Sequence, residues 1–521
     1  MTTTHGLAGR REWTGLAVLL LPTLVIATDL GILFFAVPFI STELRPDATE
    51  QLWIMDIYSF LLAGLLIPMG ALGDRIGRRR LLMAGALGFA AASVLAATAD
   101  GAGQLIAARA LLGVTGATLM PSTLALIRNM FHDPRQRTAA MGAWGAATMA
   151  GATLGPVIGG LLLEHFTWST VFLPAVPVMA LVLLTAPFLL PEYRSPRAGR
   201  FDLPGALLAV AAVLPAVYGL KHLAVDGWST SAALSLAAGL LLGGALVWRL
   251  RTAATPLVDP ALFRNRTFSG AVVVNTLTML AMMGFTLYTS QYLQLVRGMA
   301  PLTASLWALL PSVGVFVTAG ASGALAGRVR PGVRLTGGLV IAAAGFALMT
   351  LVRPDSPLAL ILVAAGVLAA GTVAAMMLTA ELVVSAAPPE QAGAASAVSE
   401  TATELGASLG IALLGAAGAA VYSARLDGGL PAGLPAELTT VAQDTLGGAV
   451  AVAAQLPGEL GGQLLTAARD AFADGMHLAA AVGLATMLLG AFLAHRLLGD
   501  LPVPAPAEKA GEQVRHQLES V

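Results

Sequence analysis

Six ionisable side chains lie inside long apolar stretches of this 521-residue sequence: Asp29, Asp56, Arg109, Glu381, Glu400 and Glu404. An ionised carboxylate at the centre of a bilayer costs roughly 2.5–3.5 kcal/mol, so the five acids are functional candidates by default. Glu400 and Glu404 are four residues apart and would share one face of a helix. Two ionised carboxylates at that spacing repel each other, which favours binding of a proton or an organic cation. The pair could therefore exchange one for the other.

Most of these residues also have a structural interpretation. Asp29 could be an ion-pair partner of Arg109 rather than a proton carrier, and Arg109 could then have no coupling role. Asp56 could be an interfacial acid at a helix end, and Glu381 could simply reach the membrane surface. A functional role is favoured most for the two-glutamate pair, because apolar side chains would serve packing better at those positions.

Other chemistry is excluded by what the sequence lacks. It has no cysteine, no Gly-x-x-x-x-Gly-Lys-Ser/Thr loop and no histidines at metal-ligand spacing. We therefore expect no metal site, no cofactor, no ATP-driven step and no enzymatic activity. The energy for any transport would have to come from an ion gradient or from the gradient of the transported molecule itself.

The composition is that of a membrane protein. Hydrophobic residues make up 57% of the chain and charged residues 11%, against roughly 25% charged in an ordinary soluble domain. Mean hydropathy is +0.79. With 29 basic and 29 acidic residues the net charge is zero, so the chain has no excess of positive charge that would attract nucleic acid. A soluble enzyme, a disordered protein and a nucleic-acid binder are all disfavoured.

Apolar runs of about 20 residues, the length that crosses a bilayer as a helix, recur along the chain. They are too long for barrel strands and lack two-residue alternation. We predict fourteen transmembrane helices, near residues 14–38, 51–73, 81–99, 104–127, 138–163, 169–190, 205–224, 230–248, 268–296, 303–327, 335–352, 357–386, 393–422 and 476–498.

Arginine placement predicts the orientation. Seventeen arginines fall in one set of loops, against six Lys or Arg in the opposite set, so the arginine-rich loops and both termini are expected in the cytoplasm. The predicted fold class is an all-α integral membrane protein with two six-helix bundles and two inserted central helices. The predicted segments are a cytoplasmic N-terminus (1–13), the first bundle (14–190), the inserted helices (205–250), the second bundle (268–498) and a cytoplasmic tail (499–521).

One outer loop, 423–475, is predicted to be long. Its stretch 439–472 has amphipathic helical spacing, which favours a pair of helices lying on the surface. A gating or lid role is the alternative. The tail after residue 498 is rich in Pro, Ala and charge, and we expect it to be disordered.

The first bundle contains three glycine-rich segments. Glycines let helices approach closely, and a proline inside a helix removes a hydrogen bond and bends it. The segment after the second span contains Gly70, Gly73, Asp74, Arg75, Gly77 and Arg78. The fourth span carries Arg109 and Gly113, and the fifth carries Gly151, Gly155, Pro156, Gly159 and Gly160.

These three segments resemble the signature motifs of the major facilitator superfamily, and the fifth-span segment resembles the motif of its antiporters. Fourteen spans resemble its drug:proton antiporter branch. Residues 29–38, 51–59 and 393–404 are similar to segments of the quaternary-ammonium and multidrug exporters within that branch. Two positions depart from the pattern, because Phe34 and Ala175 stand where Asn is usual. They put substrate preference or helix contacts in doubt, but not the family.

The resemblance implies proton-coupled export of lipophilic, often cationic drugs, antiseptics or antibiotics by alternating access. The roles implied are proton coupling and substrate binding for the intramembrane charges, and conformational change for the glycine motifs. An exporter of one endogenous metabolite or antibiotic is an alternative, and an uncoupled uniporter is another. The expected partners are small organic molecules, protons and the lipid bilayer, with the protein a monomer. Arginine-heavy usage suggests a bacterial source.

A drug site also needs an apolar and aromatic wall. Span 9 offers side chains suited to this, because methionine adapts to many shapes and aromatic rings can hold a cation. The alternative for each is bundle core. The candidates are Met279, Met282, Met283, Phe285, Tyr288 and Tyr292.

Overall fold

The structure is a computed structural model that describes residues 8–194, 202–225, 228–253, 259–311, 328–388, 392–431 and 434–501, together with Gly314 and Thr318. Within these ranges the chain forms sixteen α-helices and no β-strand. The helices of the first half are α1 (Arg10–Glu43), α2 (Ala48–Ile76), α3 (Arg78–Ala97), α4 (Ala102–Met130), α5 (Pro134–His165), α6 (Ala175–Leu189), α7 (Leu203–Val225) and α8 (Thr230–Thr252).

The second half contains α9 (Arg266–Gln291), α10 (Pro301–Leu309), α11 (Pro331–Met349), α12 (Leu358–Ser385), α13 (Ala392–Asp427), α14 (Ala436–Asp444), α15 (Leu446–Ala453) and α16 (Gly458–Leu498). Short 3₁₀ turns span Trp168–Phe172 and Pro260–Arg264, and a π-helical turn, Tyr292–Val296, extends α9.

Twelve helical segments among the described residues are long and apolar enough to cross a membrane. The prediction of an all-α membrane protein is therefore confirmed at this level. The apolar part of α7, Leu203–Gly219, falls short of that length, and the predicted span 303–327 lies mostly outside the described residues. The count of fourteen stays a prediction.

Helix packing divides most of the helices into two groups. Helices α1–α6 pack on one another, chiefly through α1 with α5, α2 with α4, and α3 with α4 and α6. Helices α9, α11, α12, α13 and α16 form a second packed group. Helices α7 and α8 form a pair, and α7 contacts α2 of the first group and α13 of the second. The two groups meet directly along α2 and α13.

The glycines of the fifth span lie where α5 crosses α1. A Cβ on Gly155 would lie 2.7 Å from the carbonyl oxygen of Thr28, and one on Gly151 would lie 2.6 Å from that of Leu24. Gly160 makes a similar approach to α10, because its Cβ would lie 2.6 Å from Oγ of Ser305. Only glycine allows backbones this close, so α5 is held tightly between α1 and α10.

The outer end of the molecule, opposite the arginine-rich loops, is closed between the two groups. Oγ of Ser290 on α9 donates a hydrogen bond of 3.1 Å to the carbonyl oxygen of Phe34 on α1. A Cβ on Gly415 of α13 would lie 2.5 Å from Cδ2 of Leu52 on α2. On the same side α15 packs on α1, with Gly447 against Ser41.

The segment 423–475, predicted to be a long outer loop with a pair of surface helices in 439–472, is largely helical. Helix α13 continues to Asp427 and α16 begins at Gly458, so only residues 428–457 lie between these two long helices. That interval contains the short helices α14 and α15, joined at Thr445, which caps α15 by accepting a hydrogen bond from the Gly448 amide. The pair covers the closed outer end.

The connection between α2 and α3 turns on one glycine. Gly77 has φ +115°, a conformation that side chains with a Cβ rarely adopt, and a Cβ there would lie 2.4 Å from Oε1 of Glu192. That carboxylate accepts a 3.2 Å hydrogen bond from the Arg79 amide. It also lies 3.7–3.8 Å from Nε of Arg79 and Nε of Arg80. The arginines thus tie this turn to the segment after α6.

We predict that Gly77→Ala lowers the stability of the protein by about 1–3 kcal/mol, because it adds backbone strain and a clash with Glu192. Thermal unfolding followed by tryptophan fluorescence in detergent would measure the change. Gly337→Ala is the matched control, since a Cβ there meets nothing within 4 Å. A melting temperature for Gly77→Ala equal to that of the control would contradict this account.

The outer helix pair should bind more firmly at low pH. Partial burial and the nearby carboxylates of Asp47 and Glu50 raise the pKa of Asp444 above its usual range. The docked state therefore favours the neutral acid, so docking of α14 and α15 strengthens as pH falls and weakens as pH rises through that pKa. Amide exchange of residues 436–453 should be slower at pH 5 than at pH 8, after correction for intrinsic rates.

Asp444→Asn should abolish this pH difference in amide exchange. Glu459→Gln, at an exposed position beside the helix pair, is the control and should keep the difference. Equal pH dependence in the two variants would contradict the assignment to Asp444.

Candidate functional site

Arg109 on α4 is the centre of a buried polar cluster in the first helix group. The side chain is 0% exposed and forms an ion pair and hydrogen bond with Asp29 on α1. Its Nε donates to the carbonyl oxygen of Ile54 on α2 at 3.2 Å, and the guanidinium lies 4.7 Å from the centre of the Tyr58 ring. One guanidinium thus connects α1, α2 and α4. Its Nη2 makes no hydrogen bond within the described part of the chain.

Gly113 of α4 lets that helix approach Tyr58 closely, and Gly116 makes an ordinary contact with the same residue. A Cβ on Gly113 would lie 2.4 Å from the Tyr58 carbonyl oxygen, and one on Gly116 would lie 3.5 Å from the Tyr58 hydroxyl. Tyr58 is 1% exposed. The short distance between the helices fixes the ring beneath the guanidinium, where the cation–π attraction is strong because water is excluded.

Glu404 brings the second helix group to the same cluster. It lies on α13, and its carboxyl group faces the Ser59 hydroxyl and is within electrostatic reach of Tyr58. Asp29 and Arg109 also interact electrostatically with the Tyr58 hydroxyl. Asp56, one turn of α2 nearer the outer end than Ser59, is fully buried. The cluster therefore contains charges from both groups, at the place where α2 meets α13.

Several polar atoms of the cluster make no hydrogen bond among the described residues. They are Nη2 of Arg109, the Tyr58 hydroxyl, Oγ of Ser408 and Oε2 of Glu404. A buried polar atom without a partner typically costs roughly 1–3 kcal/mol. A buried polar atom without a protein partner therefore needs another explanation. It can have a functional role, or it can form a hydrogen bond with a buried water molecule.

A large cavity opens beside this cluster, towards the arginine-rich end of the molecule. Its volume is about 710 Å³, and α2, α4 and α5 line one side while α13 lines the other. Its lining includes Leu66, Ile67, Gly70, Ala71, Asp74, Arg78, Met120, Pro121, Leu124, Ala125, Arg128, Asn129, Met141, Trp144, Tyr193, Ser396 and Glu400.

Charge is distributed unevenly in the cavity. At the rim, Nη2 of Arg78 and Oδ1 of Asp74 form an ion pair of 2.6 Å, and Arg128 is exposed. Glu400 lies deeper, eight residues into α13 or ~12 Å along its axis. It makes no ion pair with any residue that the structure describes. A cation would therefore be attracted most strongly to the interior of the cavity, beside Glu400.

An aromatic and a methionine lie at a depth similar to that of Glu400. Trp144 is ten residues into α5, and Met120 is ten residues from the end of α4, each ~15 Å along its helix. Met141 is three residues before Trp144 on the same helix. These side chains were not among the residues predicted from the sequence to line a drug site. A tryptophan in mid-span with a methionine at i−3 was the available signal.

The span-9 residues lie elsewhere. Met279, Phe285, Tyr288 and Tyr292 are buried in the helix core, where Phe285 packs edge-on against Phe346 and the Tyr292 hydroxyl donates to the Arg353 carbonyl at 2.6 Å. Met282 and Met283 are half-buried. Of these six, only Tyr288 lines a described pocket, a narrow one at the outer end.

The remaining candidates are spread along the fold. Glu381 is exposed on α12 and does not line the large cavity. Arg75 is exposed at the end of α2, and Gly73 packs against Arg78 and Leu81. Pro156 lies within α5, and its ring would be 2.8 Å from a Cβ on Gly31, while Gly159 faces Ile32 on α1.

The protein has membrane-length helices in two packed groups, a cavity between them that is open at one end, and buried charges beside that cavity. Together these features define a membrane transporter. A family model described as Major Facilitator Superfamily matches residues 19–411, and the chain belongs to that family. The resemblance inferred from the motifs is thereby confirmed.

The chain is 45% identical to "Multidrug efflux pump LfrA" of Mycolicibacterium smegmatis, over 89% of this chain and 92% of that protein. It is 38% identical to "Methyl viologen resistance protein SmvA" of Salmonella typhimurium, over 89% and 93%. Among solved structures, an inward-facing, unoccupied bacterial homologue of the human lysosomal transporter Spinster superposes with TM-score 0.64 at 17% identity, over 95% of this chain and 99% of that chain. That likeness concerns the fold.

We predict that Asp29→Asn lowers the free energy of unfolding by about 3 kcal/mol, because it leaves the Arg109 guanidinium buried without a counter-charge. Denaturant unfolding in micelles would measure this. In a double-mutant cycle, Arg109→Gln in the Asp29→Asn background should cost less than Arg109→Gln alone.

The control for this prediction is the exposed ion pair between Arg425 and Asp474, whose side chains are 68% and 45% exposed. Asp474→Asn should cost less than about 1 kcal/mol. A loss for Asp29→Asn no larger than the loss for Asp474→Asn would show that the buried pair is not a structural tie.

Proposed function

We propose that the protein is a proton-coupled exporter of lipophilic, often cationic drugs, antiseptics or antibiotics. We further propose that it has fourteen spans and acts as a monomer in the cytoplasmic membrane of a bacterium, with both termini in the cytoplasm. The observation that carries the proposal is the position of Glu400. It lines the large cavity and lies one helical turn from Glu404, which belongs to the buried Arg109 cluster.

The cavity suits a drug-sized organic cation. Its volume of about 710 Å³ lies within the ~300–1,000 Å³ typical of small-molecule sites. Glu400 supplies the negative charge, and Trp144 supplies an aromatic face that can hold a cation. Met120 and Met141 add soft, adaptable walls that can accept molecules of different shape. The names of the relatives, a multidrug efflux pump and a methyl viologen resistance protein, support the same substrate class.

Exchange of protons for drug follows from competition at the glutamate pair. A cation bound beside Glu400 replaces a proton there, because one negative charge needs only one positive partner. Protonation from outside would release the cation after the outer end opens, and loss of the proton to the cytoplasm would restore the site. The present shape, closed at the outer end and open at the arginine-rich end, corresponds to the step that takes up drug from the cytoplasm. We propose that the proton gradient supplies the energy and that no cofactor takes part.

We predict that Glu400→Gln weakens binding of ethidium by about tenfold or more, because a charge-assisted contact is lost. Quenching of tryptophan fluorescence in the purified protein would measure binding. Inside-out vesicles that are acid inside should accumulate ethidium and release lumenal protons with the wild type, and a protonophore should abolish both.

Glu381→Gln is the matched control, because that glutamate is exposed on α12 and does not line the cavity. It should bind and transport ethidium as the wild type does. Equal effects of the two substitutions would contradict the role of Glu400. Dye uptake by the wild type without proton release would favour an uncoupled transporter.

A further inference from the structure

A buried polar contact in the second helix group joins α9, α12 and α13. Its centre is Asn275 on α9, which is 4% exposed. The side-chain amide nitrogen donates a hydrogen bond of 2.7 Å to Oγ1 of Thr403 on α13. The amide oxygen accepts one of 3.2 Å from Oγ1 of Thr379 on α12, which is fully buried. One amide thus connects three helices, as the Arg109 guanidinium does in the first group.

The two threonines do not need this amide to satisfy their own hydroxyl hydrogens. The Thr403 hydroxyl donates to the Ser399 carbonyl of its own helix at 2.9 Å, so its oxygen is left to accept from Asn275. The Thr379 hydroxyl is also 3.0 Å from the Met376 carbonyl, an acceptor that would remain if the amide were lost. The amide therefore does more to fix the three helices relative to one another than to satisfy buried donors.

The contact holds α13 at the turn that carries the two glutamates. Thr403 is three residues after Glu400 and directly before Glu404. At 3.6 residues per turn, it points roughly 60–100° away from them around the helix axis. Holding Thr403 against α9 therefore fixes the direction in which both glutamates point. In this arrangement Glu400 lines the large cavity.

Two glycines bring the same side of α13 close to α9. A Cβ on Gly406 would lie 2.5 Å from the Thr276 carbonyl oxygen, and one on Gly410 would overlap the Leu280 carbonyl. Such contacts allow close packing but form no directional bond.

A second hydrogen bond between these helices lies further out. The Tyr288 hydroxyl donates at 2.9 Å to the Leu414 carbonyl, which is eleven residues beyond Thr403, or ~16 Å along the axis. The Tyr288 bond thus holds the outer part of α13, and the Asn275 bond holds the inner part, where Glu400 lies.

We propose that Asn275 is the positioning residue of the two glutamates. By binding Thr403 it fixes the rotation of α13 that turns Glu400 into the cavity. The inference rests on the proposed function, which it deepens by naming a determinant of the preference for cations. Asn275 does not line the large cavity, so it acts on the drug through Glu400.

The test is a double-mutant cycle on ethidium binding, measured by quenching of tryptophan fluorescence in the purified protein. Asn275→Leu keeps the approximate size of the side chain and removes the amide. It should weaken ethidium binding about three- to tenfold. In the Glu400→Gln background the same substitution should weaken binding less than about twofold, because the charge that Asn275 positions is already absent. Dissociation constants are compared rather than binding capacities, so that a smaller folded fraction does not count as weaker binding.

The other partner of the hydrogen bond supplies a second variant and a rescue. Thr403→Val keeps the shape of the side chain and removes the acceptor, so it should weaken ethidium binding as Asn275→Leu does. Thr403→Ser returns a hydroxyl to this position and should recover most of the affinity. Thr278→Val is the matched control and should bind ethidium as the wild type does. Thr278 is buried on α9, and its hydroxyl donates at 2.7 Å to the Val274 carbonyl of the same helix.

Wild-type affinity in Asn275→Leu or in Thr403→Val would overturn the inference and leave the proposed function standing. An equal loss with and without Glu400→Gln, or no recovery in Thr403→Ser, would show that Asn275 has a structural role only, and would overturn the inference as well. If Glu400→Gln itself binds ethidium as the wild type does, the proposed function fails and this inference fails with it.

Discussion

The burial of one guanidinium is the constraint on which the rest of the structure depends. Arg109 is fully buried, so its charge has to be matched where it lies, and Asp29, the Ile54 carbonyl and the Tyr58 ring do this from two neighbouring helices. These contacts hold α1, α2 and α4 in one arrangement. The close approach of α4 to α2 is possible because Gly113 has no side chain.

The same cluster connects the two helix groups. Glu404 enters from α13, while Glu400, one turn away, lines the cavity. Asp29 and Glu404 therefore belong to one buried polar cluster, although they lie in different helix groups. The contacts of Ser290 with Phe34 and of Gly415 with Leu52, together with the cover of α14 and α15, hold the opposite end closed.

Much of the architecture could be predicted from periodicity and composition. Runs of apolar residues predict membrane helices directly, since every backbone polar group must be satisfied inside the bilayer. The positions of Asp29, Arg109 and Glu404 were recognisable because charges in such runs are costly. The lining of the large cavity was not recognisable, because methionine and aromatic residues also pack well in the core of a helix bundle. Phe285 and Tyr292 are buried in the helix core, whereas Trp144 and Met120 line the cavity.

The sequence by itself determined the class of protein, the family and the charges that lie within apolar helices, because each of these is a local property of composition, length or motif. Only the tertiary structure decided which charges meet. It paired Asp29 with Arg109, brought Glu404 to Tyr58, left Glu381 exposed and closed one end of the molecule. These outcomes depend on how helices far apart in the chain rotate and cross, and no stretch of sequence contains that information, because a helix has several faces on which it could pack.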